Sequence, residues 1–88
     1  MAKTTAEALV SVCDRLRQQA DHIEVTVARE KRRVDGQRAE IKRLKAEPNP
    51  DEERIAVMEH ALAELTEQLT EDQDSLAGLK ADIAENCR

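Results

Sequence analysis

Acidic residues inside a regular apolar pattern are the first candidates for chemistry in this sequence. Glu30 and Asp72 both stand at positions where the spacing predicts an apolar side chain. Two adjacent carboxyls can act as general acid and base, and facing carboxylates in helical bundles can hold metals. Bundle sites of that kind use Glu-x-x-His motifs, and neither His22 nor His60 follows a glutamate by three residues. We therefore interpret Glu30, Gln37 and Asp72 as a polar layer that fixes the register of two helices at a cost in stability.

Composition argues against an enzyme and against a nucleic-acid binder. No nucleophile, base and orienting group can be assembled from the sequence, so we assign no catalytic, cofactor-binding or metal-binding residue and expect no small-molecule substrate. There is no aromatic residue on which a nucleobase could stack, and the net charge is -5. A chain of this charge repels duplex DNA. The sequence favours a non-enzymatic protein that binds other proteins.

The two cysteines, Cys13 and Cys87, have redox chemistry of their own. Two thiols cannot complete a zinc site, and these two do not form a CxxC pair. Two interpretations stay open: a disulfide that closes a very long loop, or a small core residue at Cys13 with a free thiol at Cys87. Because disulfides are rare in the cytoplasm, the expected location, the sequence favours the second interpretation.

Charged clusters give two further candidate binding surfaces. Four basic side chains share one side of the first predicted helix: Lys31, Arg38, Lys42 and Lys45. Four acidic side chains form an outer stripe on the second: Glu64, Glu67, Glu71 and Asp74. The basic group could contact phosphates, and the acidic stripe could imitate the charge of nucleic acid in the basic channel of another protein. The favoured interpretation of both is a solvated or protein-facing surface.

The elements that position these groups follow from the apolar periodicity. Apolar residues recur in steps of three and four through both halves of the chain, which is the pattern of a coiled coil. The predicted seam, the row of residues that should join two helices, consists of Leu9, Cys13, Leu16, Ile23, Val27, Val34, Ile41, Leu44, Ile55, Met58, Leu62, Leu65, Leu69, Leu76, Leu79 and Ile83. This spacing predicts two long helices and no strand.

Start and stop signals place the ends of the first helix. Thr4 and Glu7 have the spacing of a capping box, in which each side chain satisfies a free backbone N–H of the other residue. Pro48 disfavours helical geometry at the residue before it. The first helix is therefore predicted over about 4–46.

A turn and a second helix should follow directly. Asn49 suits the N-cap position and Pro50 suits the first helical position. The turn is predicted at 47–50 and the second helix over about 50–86. Because a connection this short joins antiparallel neighbours, the predicted fold is all-α, an antiparallel two-helix coiled-coil hairpin forming a single domain over 1–88.

Folding the chain about this turn pairs seam residues whose numbers add to 99, such as Leu44 with Ile55. It also brings Cys13 close to Cys87. Flanking ion pairs are expected between Glu24 and Lys80 and between Arg38 and Glu59. Residues 1–47 carry a net charge of +3 and residues 48–88 carry -8, so the two arms attract each other.

The open end of the hairpin, opposite the turn, is apolar beyond the seam. Val10 and Val12 lie beside the seam of the first helix, and Ala77, Ala81 and Ala84 beside that of the second. One partner helix can cover only one apolar stripe. We therefore expect these residues to mediate self-association into a dimeric four-helix bundle.

The predicted function is a protein-interaction or scaffolding module that self-associates and docks onto another, unidentified protein. The alternative is a small acidic inhibitor that blocks a nucleic-acid-handling machine. Neither a signal peptide nor a membrane-spanning run is visible in the sequence, so a cytoplasmic location without membrane contact is expected.

Overall fold

Two long helices joined by a short turn make up the computed structural model, which describes residues 5–87. Helix α1 is Thr5–Lys45 and helix α2 is Glu52–Asn86. They lie side by side in opposite directions in a rod measuring 72 × 22 × 15 Å. The predicted helical hairpin is confirmed. Within residues 5–87, no helix is both long and apolar enough to cross a membrane. The predicted Thr4–Glu7 capping box lies outside the side chains described.

The turn forms where the prolines predict it, but the cap of α2 differs from the prediction. Helix α1 ends at Lys45, and tight backbone hydrogen bonds continue to Glu47, whose N–H donates to the Leu44 carbonyl at 3.3 Å. The N-cap of α2 is Asp51, whose Oδ1 accepts a hydrogen bond from the Arg54 N–H at 3.2 Å. The predicted N-cap at Asn49 is wrong, because the chain uses two more residues to reverse direction before α2 can begin.

The apolar core is concentrated in the half of the rod nearer the turn. One cluster joins buried Ile41, Leu44 and Ile55, with Met58 and Leu62 packed against it. The cluster beyond it contains the buried residues Val27, Val34 and Leu69, flanked by the half-buried residues Ile23, Leu62, Leu65 and Leu76. Burial of such aliphatic side chains contributes roughly 1.5–3 kcal/mol each before the entropy cost of ordering them is subtracted.

The seam is less well covered toward the open end. Helix α1 still buries Cys13 and Ala20 there, but Leu16 is only half-buried. Leu79 and Ile83 of α2 are likewise half-buried. Leu9 was placed in the seam and is instead 50% exposed, because α2 ends at Asn86 and leaves the start of α1 uncovered.

Two ion pairs between the arms fix the register on one side of the seam. Lys45 Nζ lies 3.1 Å from Glu59 Oε1, and Lys80 Nζ contacts Glu24 Oε1. The predicted Glu24–Lys80 pair is confirmed, whereas the predicted pairing of Arg38 with Glu59 is wrong. The residue numbers of both observed pairs add to 104, and this flanking register places Glu59 beside Lys45.

Candidate functional site

An exposed apolar surface lies at the open end of the hairpin, on the first turns of α1. We define the open-end apolar surface as Leu9, Val10, Val12 and Leu16. Leu9 is 50% exposed, Val10 61% and Val12 45%, while Leu16 is half-buried. In the heptad pattern Val10 and Val12 flank the seam on opposite sides, and Leu9 lies between them where α2 no longer covers α1. The surface is therefore continuous across the seam.

Shallow clefts border this surface on both sides. A cleft of about 500 Å³ is lined by Val12, Arg15, Leu16 and Gln19. A second cleft of about 270 Å³ is lined by Leu9, Val10, Cys13, Arg17, Glu85, Asn86 and Cys87. The predicted alanines on α2, Ala77, Ala81 and Ala84, are all exposed. The apolar residues that the sequence assigned to self-association are therefore accessible to a partner.

A disulfide between Cys13 and Cys87 closes the open end. The two Cα atoms lie 5.7 Å apart, and 74 residues separate the cysteines along the chain. The favoured sequence interpretation, two free thiols, is wrong. In the chain-entropy model, a cross-link over a loop of this length stabilises the folded state by about 4.5 kcal/mol.

The Cys87 residue is held to α1 by one further contact. Arg17 Nη2 donates a hydrogen bond to the Cys87 carbonyl oxygen at 3.2 Å, and the Cys87 N–H donates to the Ile83 carbonyl oxygen at 2.8 Å. Cys13 itself is only 4% exposed, whereas Cys87 is half-buried. The two sulfur-bearing residues thus differ in their accessibility to solvent.

The predicted polar layer is present in the middle of the rod. Glu30 is buried, at 8% exposure, and its Oε1 atom has no hydrogen-bond partner among the described residues. The neighbouring Asp72 carboxyl, with which a protonated Glu30 can share a hydrogen bond, is the main cause that raises the pKa of Glu30. Burial and the negative charge of Asp72 act in the same direction, while Arg33 and Arg29 oppose them. The layer therefore favours protonation of Glu30.

Gln68, an exposed residue of α2, makes a further contact with the polar layer. It was not predicted from the sequence. Its Nε2 atom donates a hydrogen bond to Asp72 Oδ1 at 3.1 Å. The signal was available, because residues four apart on a helix are neighbours. Gln37, predicted as a member, is half-buried one heptad nearer the turn. Within residues 5–87, no three His, Cys, Asp or Glu side chains are grouped in a way that could hold a metal ion.

The predicted charged surfaces are solvent-exposed throughout. All eight side chains assigned to partner binding are exposed: Lys31, Arg38, Lys42, Lys45, Glu64, Glu67, Glu71 and Asp74. Two of them make polar contacts within the chain, since Lys45 forms an ion pair with Glu59 and Glu64 Oε1 lies 3.1 Å from His60 Nε2. Exposed pairs of this kind contribute little stability, about 0–1 kcal/mol each.

Comparison with known proteins gives no match at any level. No protein-family model matches the chain, no curated protein matches it, and no solved structure matches it.

Proposed function

We propose that this chain is a non-enzymatic interaction module that self-associates through its open-end apolar surface into a dimeric four-helix bundle. The exposure of Val10, Val12 and Leu9 supports the proposal most directly. Three neighbouring aliphatic side chains at half exposure or close to it form a patch, whereas single exposed apolar residues are common on protein surfaces. A second copy of the chain is the occupant that we propose for this patch.

The total surface of the chain supports an association of this size. Its accessible area is 6830 Å². A compact monomer of the same 9.9 kDa mass would expose only about 5,200 Å², so the rod exposes about 1,600 Å² more. A standard protein interface buries about 800 Å² per partner. The rod can therefore lose the area of a standard interface and still expose as much surface as a compact monomer.

Symmetry supports a second copy as the partner. In a twofold dimer the same patch on both protomers is buried. Such a dimer overlaps at the open ends and leaves the two turns pointing outward. It would present two copies of the charged surfaces to other proteins, as a scaffold does.

Light scattering and sedimentation equilibrium test the proposal. Wild-type protein should show twice the 9.9 kDa monomer mass. The double variant Val10→Glu/Val12→Glu should be monomeric, because burying two carboxylates at the interface is costly. Val57→Glu is the matched control, since Val57 is 70% exposed on α2 near the turn, far from the open end.

Three results would count against self-association through the open end. One is a wild-type chain that stays monomeric at every concentration. Another is a Val57→Glu variant that dissociates as readily as the open-end double variant. The last is a double variant that remains dimeric with unchanged helicity, which would place the interface elsewhere on the rod.

The acidic stripe favours a second candidate function, an inhibitor that occupies a basic channel on a nucleic-acid-handling protein. Glu64, Glu67, Glu71 and Asp74 are all exposed and span ten residue steps, or about 15 Å of helix. Their spacing of about 5 Å per charge is wider than the 3.4 Å along one DNA strand. This lower charge density places the inhibitor second. Replacing all four side chains with their amides should abolish the ability of the chain to compete with DNA for the target. A variant that still competes as well as wild type would exclude the role.

The cytoplasm is the proposed location, and the disulfide sets a condition on it. Persistent disulfides are rare in cytoplasmic proteins, where bridged pairs are usually transient and catalytic or redox-sensing. The proposal therefore requires that the Cys13–Cys87 bond be reversible in the cell. Fractionation of the native host, with alkylation of free thiols at lysis, would show both the compartment and the fraction of bridged chain.

A further inference from the structure

We propose that the Cys13–Cys87 bond is a reversible redox latch, which a dithiol reductant opens to release the end of α2 from α1 while the core near the turn stays folded. The inference rests on the proposed function only for its cytoplasmic setting. It does not depend on self-association. The reductant opens the latch in the monomeric chain, where Leu9 and Val10 are exposed and leave the cleft beside Cys87 open.

The distribution of apolar contacts is the first support for a local opening. Leu69 is the last buried residue of α2 in the described chain, and Leu79 and Ile83 beyond it are only half-buried. The cluster nearer the open end contains Leu69 and Val27, and half-buried Leu76 is the last residue of α2 that packs against it. Regions with few buried contacts open at a lower free energy than the global transition. Beyond Leu76, the described part of α2 therefore has no fully buried side chain, although α1 still buries Cys13 and Ala20 opposite it.

The remaining contacts between the arms at this end are weak. Lys80 contacts Glu24 and Arg17 donates to the Cys87 carbonyl oxygen, but these groups are exposed to solvent. The last described turn of α2 has no basic side chain, and Glu85 places negative charge near the negative end of the helix dipole. A helical segment of about ten residues is marginal in water by itself. Breaking the disulfide removes the strongest constraint on this segment.

Access to the two sulfurs determines where a reductant attacks. Both cysteines line the cleft of about 270 Å³ at the end of the rod, but Cys13 is only 4% exposed, whereas Cys87 is half-buried. Arg17 lies in the same cleft and attracts an incoming thiolate. Attack is therefore expected at Cys87 Sγ, with the Cys13 sulfur as the leaving group.

The exchange balances in two steps. A thiolate of the dithiol attacks Cys87 Sγ, forms a mixed disulfide with it and breaks the bond to Cys13, whose thiolate then takes a proton. The second sulfur of the reductant, as its thiolate, then attacks the reductant sulfur that is bonded to Cys87 Sγ. This breaks the mixed disulfide and releases Cys87, whose thiolate takes a proton. Two electrons pass to the chain, and the reductant leaves as an intramolecular disulfide.

Backbone chemical shifts, which report helicity residue by residue, test the latch with dithiothreitol as the probe. On reduction, the helical Cα shifts of residues 79–86 should fall by about half or more, while those of residues 27–44 and 55–69 stay nearly constant. The variant Cys13→Ser/Cys87→Ser is the matched control and should match reduced wild type with or without dithiothreitol. Returning reduced wild type to glutathione disulfide should restore the original shifts.

Several outcomes would overturn the latch. Residues 79–86 could keep their helical shifts after reduction, which would make the bond irrelevant to local order. All residues could lose helicity together, which would make the bond a support of the whole fold. The bond could also fail to re-form with glutathione disulfide. Light scattering on the same samples reports self-association separately, so failure of the dimer cannot be mistaken for failure of the latch.

The site of attack has its own test. A brief exposure to glutathione, a monothiol, stops at the mixed disulfide, and acid quenching followed by peptide mass spectrometry locates it. Glutathione should be found on Cys87, at least about tenfold over Cys13, because burial restricts access to Cys13. Equal labelling, or a preference for Cys13, would contradict the proposed direction of opening.

Discussion

The two ends of this rod are held together by different kinds of interaction. The turn end has a short connection, an Asp51 cap and a continuous aliphatic core from Val27 to Ile55. The open end has half-buried seam residues, exposed valines and a single disulfide. Many weak contacts stabilise the first region, whereas one covalent bond stabilises the second.

This difference determines which region is suited to regulation. A core built from many contacts loses only part of its stability when one contact changes. A region held by one bond responds fully to the chemistry of that bond. The exposed apolar patch and the bond lie at the same end, so the structure of this end should depend on both self-association and the oxidation state of the cysteines.

The largest expected effect comes from removing the bond. Cys13→Ser/Cys87→Ser should lower the free energy of unfolding by up to about 4.5 kcal/mol relative to oxidised wild type, because the unfolded chain regains loop entropy. Urea unfolding followed by circular dichroism measures the difference, and reduced wild type is the control. A loss below about 1 kcal/mol would show that the open end is held by other contacts.

A matched pair of leucines on α2 compares the two regions directly. Leu69→Ala should lower the free energy of unfolding by about 3 kcal/mol, since Leu69 is buried in the core. Leu79→Ala should lower it by only about 1 kcal/mol, because Leu79 is half-buried. Thermal and urea unfolding of both variants in the oxidised state give the two values. Equal costs would remove the distinction between the regions.

The polar layer lies within the turn-end core, where Glu30 stands between Val27 and Val34, and it should make stability depend on pH. Because the folded-state pKa of Glu30 is raised above 4.5, the folded chain binds more protons than the unfolded chain. This contribution to stability is fully present below pH 4.5 and is lost as the pH rises through the folded-state pKa. Stability attributable to Glu30 therefore falls from acid toward neutral pH.

Glu30→Gln isolates that contribution, because glutamine resembles the protonated side chain. At pH 7 the variant should be more stable than wild type by about 1 kcal/mol, and the advantage should disappear on acidification to pH 4.5. Glu71→Gln on the exposed outer face is the control and should change stability little. A pH-independent difference for Glu30→Gln would mean that the carboxyl is solvated as in the unfolded chain.

A small effect, in the stabilising direction, is expected from replacing the two glycines. An added Cβ meets open space at both Gly36 and Gly78, so alanine should stabilise each helix by about 1 kcal/mol locally. Gly36→Ala should raise the global unfolding free energy by that amount, because it lies in the turn half. Gly78→Ala should mainly raise the helicity of the open end in reduced protein. A clear loss of stability for either variant, or of self-association for Gly78→Ala, would point to a partner helix at that position.

The fold was accessible from the sequence because its two determinants are local. Heptad spacing sets which side of each helix is apolar, and Pro48 prevents one continuous helix. Ion-pair partners were less accessible, since Glu59 contacts Lys45 through a flanking register that differs from that of the seam. The cap was misplaced because Asn49 and Asp51 have similar capping propensity, and only the path of the turn decides between them.

The candidate site was predicted only in outline. Periodicity identified Val10 and Val12 as surplus apolar residues, but the exposure of Leu9 depends on where α2 ends. Fold-back brought Cys13 near Cys87, yet proximity does not determine oxidation state, which also depends on redox environment. The proximity of Glu30 and Asp72 was predicted, because both stand on the seam and the fold-back register brings them together.

Native-state hydrogen exchange of oxidised protein, read amide by amide, tests the division between the two ends most directly. Amides of residues 27–44 and 55–69 should exchange slowest, and those of residues 79–86 at least about tenfold faster, even with the disulfide intact. Uniform protection along both helices would contradict the account, as would slowest exchange at the open end. Either result would mean that the rod is one cooperative unit.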